Sequence, residues 1–217
     1  MGITNFSISL LQKVVKAYNP KTVIELGSQN LYTTNEDPPP FADRWYKANG
    51  FTEYACIDLA GDNNSERWDL SEPVPTFAEY DLVTDFGTSE HVVEMKSYEV
   101  TAFHGGHINS IYPKKVKDSD LGFYKCWLNK HRLLKVGGVM INENPSHGSW
   151  PGHGFHYYTP DFYLQLVRWA DYKIIDIGEH PASGNNIDGW NTWCILEKNG
   201  EMFPSFEKFK TLPIFEV

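Results

Sequence analysis

The sequence has few cysteines, no excess of basic residues and no long apolar run. Its three cysteines are widely spaced and odd in number, which favours free thiols over a disulfide scaffold or a cysteine zinc site. The chain has 19 Lys and Arg against 28 Asp and Glu, and its formal net charge of −9 disfavours nucleic acids and anionic membrane surfaces as partners. No segment approaches the roughly twenty apolar residues that span a bilayer, and the N-terminus lacks the basic region of a signal peptide. We therefore expect a cytoplasmic protein.

Three common catalytic and nucleotide-binding motifs are also missing. There is no G-x-S-x-G nucleophile elbow and no G-x-x-x-x-G-K-[ST] phosphate loop, which disfavours serine hydrolases and P-loop NTPases. The dinucleotide pattern G-x-G-x-x-G is absent because Gln29 stands where its second glycine would be.

Helix-like and strand-like segments alternate along the chain, a pattern that predicts a parallel sheet covered by helices. The 217 residues, of which 41% are apolar, are enough for one α/β core. We predict one domain over residues 1–217, with an irregular insertion around 92–119. The predicted helices cover 6–18, 42–49, 120–134 and 160–170, and the predicted strands cover 22–26, 53–59, 80–86, 139–144, 172–180 and 192–198.

Acidic residues and glycines stand where the predicted parallel strands end. Glu25 and Gly27 close the first buried strand, and a glycine there lets a ligand approach the backbone closely. Asp58 lies at the end of the next strand, where a carboxylate can accept hydrogen bonds from the two hydroxyls of a ribose. Asp69 follows in the segment WDL, and Asp85 ends the strand YDLVTDF at the rim of the same crevice.

In the order of these elements the chain resembles the class I S-adenosyl-methionine-dependent methyltransferases. The resemblance covers residues 6–198 and includes the final pair of strands, which is joined by a turn rather than a helix. It implies an α/β, Rossmann-like fold: a mostly parallel seven-stranded sheet with helices on both faces and an antiparallel terminal hairpin. The segments that carry it are VIELGSQN (23–30), WDL (68–70), YDLVTDFGTSEHV (80–92) and HRLLKVGGVMINENP (131–145).

The resemblance also implies S-adenosyl-methionine as the cofactor and assigns residues to its parts. Glu25 would organise the amino-acid end, beside the turn of Gly27, Ser28 and Gln29. Asp58 with Leu59 would hold the ribose, and Asp69 with Leu70 the adenine. Asp85, Phe86 and Gly87 would form the wall beside the sulfonium. The chain departs from the family's glycine-rich turn, because Gln29 and Leu31 replace glycines.

Histidines near the predicted crevice are the candidates for catalysis. His91, His153 and His156 could act as general bases near neutral pH. For His91, anchoring the helix that follows its strand is an equal alternative. A metal bound by the loop 147–156 is a further alternative, but a Gly/Pro-rich loop enforces no ligand spacing, so we assign no metal ligands.

The expected function is methyl transfer from S-adenosyl-methionine to a small or medium-sized acceptor. Two alternatives are a catalytically silent S-adenosyl-methionine-binding module, suggested by the altered glycine turn, and a metal-assisted enzyme built on the His-rich loop. The aromatic residues of that loop are expected to form either a substrate-facing lid or a plug under the following helix, with Tyr158 packing in the core in both cases.

Overall fold

The computed structural model describes residues 2–60, 65–75, 79–93, 120–182 and 189–216. The main sheet contains β2 (Thr22–Leu26), β4 (Glu53–Asp58), β5 (Glu66–Arg67), β6 (Tyr80–Phe86), β7 (Leu134–Pro145), β9 (Tyr172–Pro181) and β10 (Trp190–Lys198). Short pairings join β1 (Gly2–Ile3) to β3 (Asn30–Leu31) and β8 (His156–Tyr157) to β11 (Phe215–Glu216). The helices are α1 (Asn5–Tyr18), α2 (Asp43–Ala48), α3 (Asp120–Leu133), α4 (Pro160–Leu166) and α5 (Phe206–Phe209), and a short 3-10 helix covers Ser89–His91.

The main sheet is mixed and mostly parallel. Its strand order is β5-β4-β2-β6-β7-β10-β9, in which β10 runs antiparallel to both of its neighbours and the other adjacent pairs are parallel. After β2 the chain forms β4 on one side of β2, and it later forms β6 on the other side of β2. The carboxyl ends of β2 and β6 therefore flank a topological switch point, where open α/β sheets bind ligands.

Helices pack against both faces of this sheet. Successive residues of a strand point to opposite faces, and β2 shows this directly. Val23 belongs to a core cluster with Leu11 of α1 and Tyr46 of α2, whereas Ile24 belongs to a second cluster with Trp127 of α3. Burial of the apolar strand residues between the two layers excludes water from the sheet, which is the main favourable contribution to folding in such a domain.

Several helix boundaries follow the sequence signals. Helix α1 ends where Asn19 adopts φ +48 ahead of Pro20, as the Asn-Pro pair predicts. Thr159 caps α4: its side chain accepts a hydrogen bond from the amide of Phe162, and Pro160 occupies the first turn.

Other boundaries differ from the prediction. Helix α4 ends at Leu166 rather than at 170, because the chain beyond it tightens into turns in which Arg168 N and Trp169 N donate to carbonyls three residues earlier. Strand β7 begins at Leu134 rather than at 139. Its pairing with β6 contains a bulge, and Gly137 adopts φ +83 within it.

The short pairings β1–β3 and β8–β11 were not predicted, because two-residue strands carry no periodicity. The insertion expected around 92–119 lies, from residue 94 onward, outside the described residues. Within the described ranges, no helix has the length and apolar character needed to cross a membrane.

Candidate functional site

The turn after β2 approaches the segment that follows β6. Gly27 has φ +77, and a Cβ there would lie 2.3 Å from Oγ1 of Thr88, so the position requires glycine. Gln29, which replaces a glycine of the family pattern, folds back onto this contact. Its Nε2 donates to Thr88 Oγ1 at 3.2 Å and to the Leu26 carbonyl at 3.4 Å. The larger side chain is thus accommodated inside the turn.

Two polar atoms of this turn are buried without a hydrogen-bond partner among the residues that the structure describes. They are Ser28 Oγ and Gln29 Oε1. Buried polar atoms in folded proteins are almost always satisfied by protein, water or ligand. Both atoms lie at the carboxyl end of β2 but are closed off from solvent, so a polar ligand could reach them only after a movement of the turn.

Asp58 joins the end of β4 to the same turn. Its Oδ2 accepts a hydrogen bond from Ser28 N at 2.7 Å, and its Oδ1 accepts one from Ala60 N at 2.7 Å. Each carboxylate oxygen has a second lone pair available to a ligand hydroxyl. The adjacent Leu59 side chain is 46% exposed and offers an apolar surface beside the carboxylate.

The residues assigned to adenine lie farther along this edge. Asp69 is half-buried and its Oδ1 accepts a hydrogen bond from Ser71 N at 2.8 Å. Leu70 is buried in the core cluster of α3. The contact of either residue with adenine stays a prediction.

Glu25 lies beneath the turn and is completely buried. Its carboxylate accepts hydrogen bonds from Tyr54 Oη at 2.9 Å, from Tyr46 Oη at 3.3 Å and from Gln29 N at 3.4 Å. Burial raises the pKa of Glu25 to about 8, although these hydrogen bonds act in the opposite direction. Two tyrosines thus separate this carboxyl group from bulk water.

Asp85 is the last residue but one of β6, and its side chain is turned toward α3. Burial alone would raise its pKa, but the ammonium of Lys130 at 2.7 Å and the hydroxyl and amide of Ser89 hold the pKa below its ordinary value. Lys130 also donates to Asn142 Oδ1 at 2.8 Å. The Asp85 carboxylate therefore takes part in a buried ion pair, and any contribution to the sulfonium wall would come from its backbone.

A cavity of about 210 Å³ opens beside the carboxyl ends of β6 and β7. Phe86 and Gly87, the other two residues assigned to the sulfonium wall, line it. Most of its other lining residues are polar or aromatic. Among its lining residues are Ser7, Glu143, Trp150, His153, His180 and Asn191.

Glu143 and His180 form a polar cluster in this cavity that the sequence analysis missed. Glu143 Oε1 lies 2.9 Å from His180 Nε2 and accepts from Asn191 Nδ2 at 3.1 Å, while its Oε2 accepts from Ser7 Oγ at 2.7 Å. His180 Nδ1 lies 2.9 Å from the carbonyl of Pro181, so both ring nitrogens face oxygen acceptors. For both contacts to be hydrogen bonds, His180 Nδ1 must carry a proton. A second proton must lie between Nε2 and Glu143, either on Nε2 or on the carboxyl group. The signal was available, because Glu143 is an acidic residue near the end of a parallel strand.

The three catalytic candidates separate in the structure. His91 and His153 lie together, with ring centroids 5.0 Å apart, and both approach the buried carboxyl group of Glu90. His156 is instead fully buried and stacks on Phe123 with centroids 4.1 Å apart. Its catalytic role stays a prediction, and its observed contact is one of packing.

The electrostatics of the His91–His153 pair favour neutral imidazoles. Burial and the neighbouring His153 lower the pKa of His91 to about 4, and burial lowers the pKa of His153. In the part of the chain that the structure describes, the loop 147–156 contributes only His153 to this group. The fold therefore does not assemble a metal site from the histidines of the loop 147–156 alone, which was the alternative considered from the sequence.

The aromatic residues of the loop between β7 and α4 divide between two positions. Some line the cavity, and others pack in the core. Trp150 and His153 line the cavity, and Tyr157 donates a hydrogen bond to the Trp150 carbonyl at 2.7 Å. Tyr158 is fully buried, and its hydroxyl accepts from Trp127 Nε1 at 3.2 Å, which confirms its predicted place in the core.

No family model and no curated protein matches the sequence. Solved structures match the fold. The N-methyltransferase NodS from Bradyrhizobium japonicum WM9, in complex with S-adenosyl-L-homocysteine, has a TM-score of 0.56 and 11% identity, with 91% of this chain and 89% of that chain covered. The 1,6-didemethyltoxoflavin-N1-methyltransferase of Burkholderia thailandensis, with bound 1,6-didemethyltoxoflavin and S-adenosylhomocysteine, has a TM-score of 0.53 and 12% identity, with 88% and 76% covered. The chain thus has the fold of the class I S-adenosyl-methionine-dependent methyltransferases.

Proposed function

We propose that this protein binds S-adenosyl-methionine and transfers its methyl group to a small or medium-sized acceptor. The observation that carries the proposal is the hydrogen bond from Ser28 N to Asp58 Oδ2 at 2.7 Å. It joins the carboxyl ends of β2 and β4 into one polar surface, which we call the cradle, at the switch point of the sheet. NodS and the toxoflavin methyltransferase, which share this fold, were crystallised with S-adenosylhomocysteine.

The residues of the cradle fit the polar parts of such a cofactor. Ser28 Oγ and Gln29 Oε1 are buried without partners within the described ranges, and after a movement of the turn they would meet the amino-acid end of the cofactor near Gly27. Asp58 would accept from the ribose hydroxyls next to the apolar surface of Leu59. Asp69 and Leu70 would border the adenine. Glu25 lies beneath the turn and would not contact the cofactor itself. It would support the turn by accepting hydrogen bonds from Tyr46, Tyr54 and the Gln29 amide.

The acceptor would occupy the cavity beside Phe86 and Gly87. When bound, the cofactor supplies an activated methyl group on a sulfonium, so the protein chiefly has to align the acceptor with it and remove a proton. Glu143 lines the cavity with its carboxylate and is oriented by Ser7, His180 and Asn191. It is placed to accept the proton released by an N–H or O–H acceptor.

Calorimetric titration of the purified chain with S-adenosylhomocysteine and S-adenosyl-methionine tests the proposal. We expect binding of both at one site per chain. Absence of binding for both ligands would contradict the proposal. With an acceptor in hand, turnover would then distinguish an enzyme from a silent binding module.

The variant Asp58→Ala tests the ribose assignment. We expect its affinity for S-adenosylhomocysteine to fall roughly tenfold to a hundredfold, because hydrogen bonds to a charged group contribute about 1.5–3 kcal/mol. Asp58 is partly exposed at the crevice, so the variant should fold.

Asp161→Ala, which removes an exposed aspartate at the start of α4, is the matched control and should leave the affinity unchanged. Equal affinities of Asp58→Ala and the unaltered chain would show that Asp58 does not hold the ribose.

A further inference from the structure

Glu90 is a buried acid that the cofactor assignment does not use. It lies in the 3-10 helix after β6, its side chain is completely buried, and neither carboxylate oxygen has a hydrogen-bond partner among the described residues. Burial of a carboxyl group without hydrogen bonds is costly unless a proton or a cation compensates it. A cation bound at this position would supply that compensation.

Two imidazoles converge on one oxygen of this acid. Glu90 Oε1 lies 3.5 Å from His91 Nε2 and 3.8 Å from His153 Nε2, distances too long for good hydrogen bonds. The three ligand atoms lie within 4.8 Å of one another. Around a tetrahedral zinc ion with bonds of about 2.0–2.2 Å, ligand atoms are separated by about 3.3–3.6 Å. Small side-chain movements would bring all three atoms onto a common ion.

The backbone holds these residues together although they are far apart in sequence. Phe155 N donates to the Glu90 carbonyl at 2.8 Å, and a Cβ on Gly154 would lie 2.8 Å from Glu90 Cγ, so the loop packs directly on the acid. His153 N donates to Tyr157 Oη at 3.0 Å, which fixes the start of this contact. The geometry is therefore built by the fold and does not depend on the His-rich loop alone.

One side of the cluster is open. The side chains of His91 and His153 are 42% and 28% exposed, and His153 lines the cavity that we assign to the acceptor. Structural zinc sites are closed by four protein ligands, whereas catalytic ones have three and leave a position for water or substrate. Two imidazoles with one carboxylate form such a three-ligand set, and imidazole ligands favour zinc-type cations over magnesium.

We propose that Glu90, His91 and His153 bind a divalent transition-metal cation of the zinc type, with its open position toward the cavity. An oxygen or nitrogen donor of the acceptor would occupy that position. His91 and His153 then act as ligands rather than as proton acceptors. Cation binding itself does not depend on the proposed methyl transfer, whereas the assignment of the cavity to the acceptor does.

Titration of the full chain with Zn²⁺, after treatment with a chelator, tests the site directly, with Co²⁺ absorption reporting on the ligands. We expect one Zn²⁺ per chain and a Co²⁺ spectrum with nitrogen ligation. In His153→Ala and in Glu90→Gln, Zn²⁺ affinity should fall more than tenfold, since even groups that only orient metal ligands change affinity 10–100-fold.

His147→Ala is the matched control, because it removes an exposed histidine of the same loop that lies outside the cluster. It should retain Zn²⁺ affinity. Absence of stoichiometric Zn²⁺ binding by the unaltered chain, or equal losses in His147→Ala and His153→Ala, would overturn the site. Glu90→Gln has the shape of the original side chain and provides a second test if His153→Ala does not fold.

S-adenosylhomocysteine binding separates this proposal from the proposed function. Glu90→Gln should bind S-adenosylhomocysteine as the unaltered chain does while losing Zn²⁺. If Zn²⁺ binds and S-adenosylhomocysteine does not, the methyltransferase proposal fails alone. If S-adenosylhomocysteine binds and Zn²⁺ does not, the metal site fails alone.

Discussion

At the scale of single residues, Glu25 makes stability depend on pH. Its pKa is about 8 in the folded chain and 4.5 ordinarily, so the folded state binds the proton more tightly than the unfolded state does. The contribution of Glu25 to stability is therefore complete below about pH 4.5 and is lost as the pH rises to about 8. Between pH 5.5 and 7.5 this one group should lower the free energy of unfolding by roughly 2–3 kcal/mol, at about 1.4 kcal/mol per pH unit.

Urea unfolding of the unaltered chain and of Glu25→Gln at the two pH values measures this effect. The glutamine variant cannot ionise there, so it should lack that part of the decrease. Parallel pH dependences of the two proteins would mean that Glu25 has an ordinary pKa.

At the scale of elements, the buried ion pair of Lys130 and Asp85 connects α3 to β6. Lys130 Nζ also lies 3.6 Å from the centroid of the Trp127 ring and donates to Asn142, so its charge is well compensated. Lys130→Met should lower the free energy of unfolding by about 3–5 kcal/mol, because it leaves the carboxylate of Asp85 buried and unpaired. Chemical denaturation measures the change.

Lys47→Met is the control at this scale. It breaks the exposed pair with Asp43 on α2 and should cost less than about 1 kcal/mol. Adding Asp85→Asn to Lys130→Met should recover part of the lost stability. A cost for Lys130→Met as small as that for Lys47→Met would show that the buried pair is not important for packing α3 on the sheet.

At the scale of the whole molecule, the strand order makes the C-terminal part of the chain essential to the sheet. Strand β10 lies between β7 and β9, and Cys194, Ile195 and Leu196 within it are completely buried. A chain that ends at residue 181 should therefore lose its cooperative unfolding transition, because β7 and β9 lose the strand that pairs with both of them and the core loses these buried side chains.

A chain that ends at residue 212 removes only the last five residues and leaves β10 in place. This longer chain should retain a cooperative unfolding transition. Circular dichroism recorded during heating measures the transition in both truncated chains. If the chain that ends at residue 181 unfolded cooperatively, the strands that precede β10 in the sequence would fold independently of β10.

The long helices and strands and their order along the chain could be predicted from the sequence, whereas the two-residue strands could not. Asn19-Pro20 and Thr159-Pro160 marked helix boundaries because their effects on the backbone are local. Gly27 and Asp58 were identified at strand ends because alternating strands and helices imply a parallel sheet whose carboxyl ends share an edge. These inferences need only neighbours in the chain.

Contacts between side chains that are far apart in the sequence became apparent only from the three-dimensional fold. The sequence gives no indication that Asp85 turns to Lys130 in α3, that His180 reaches Glu143 from another strand, or that His153 joins Glu90 and His91. Each contact depends on how helices pack over the sheet and how one loop folds against the end of β6. Packing of this kind is set by the combined shape of many side chains, which no local pattern encodes.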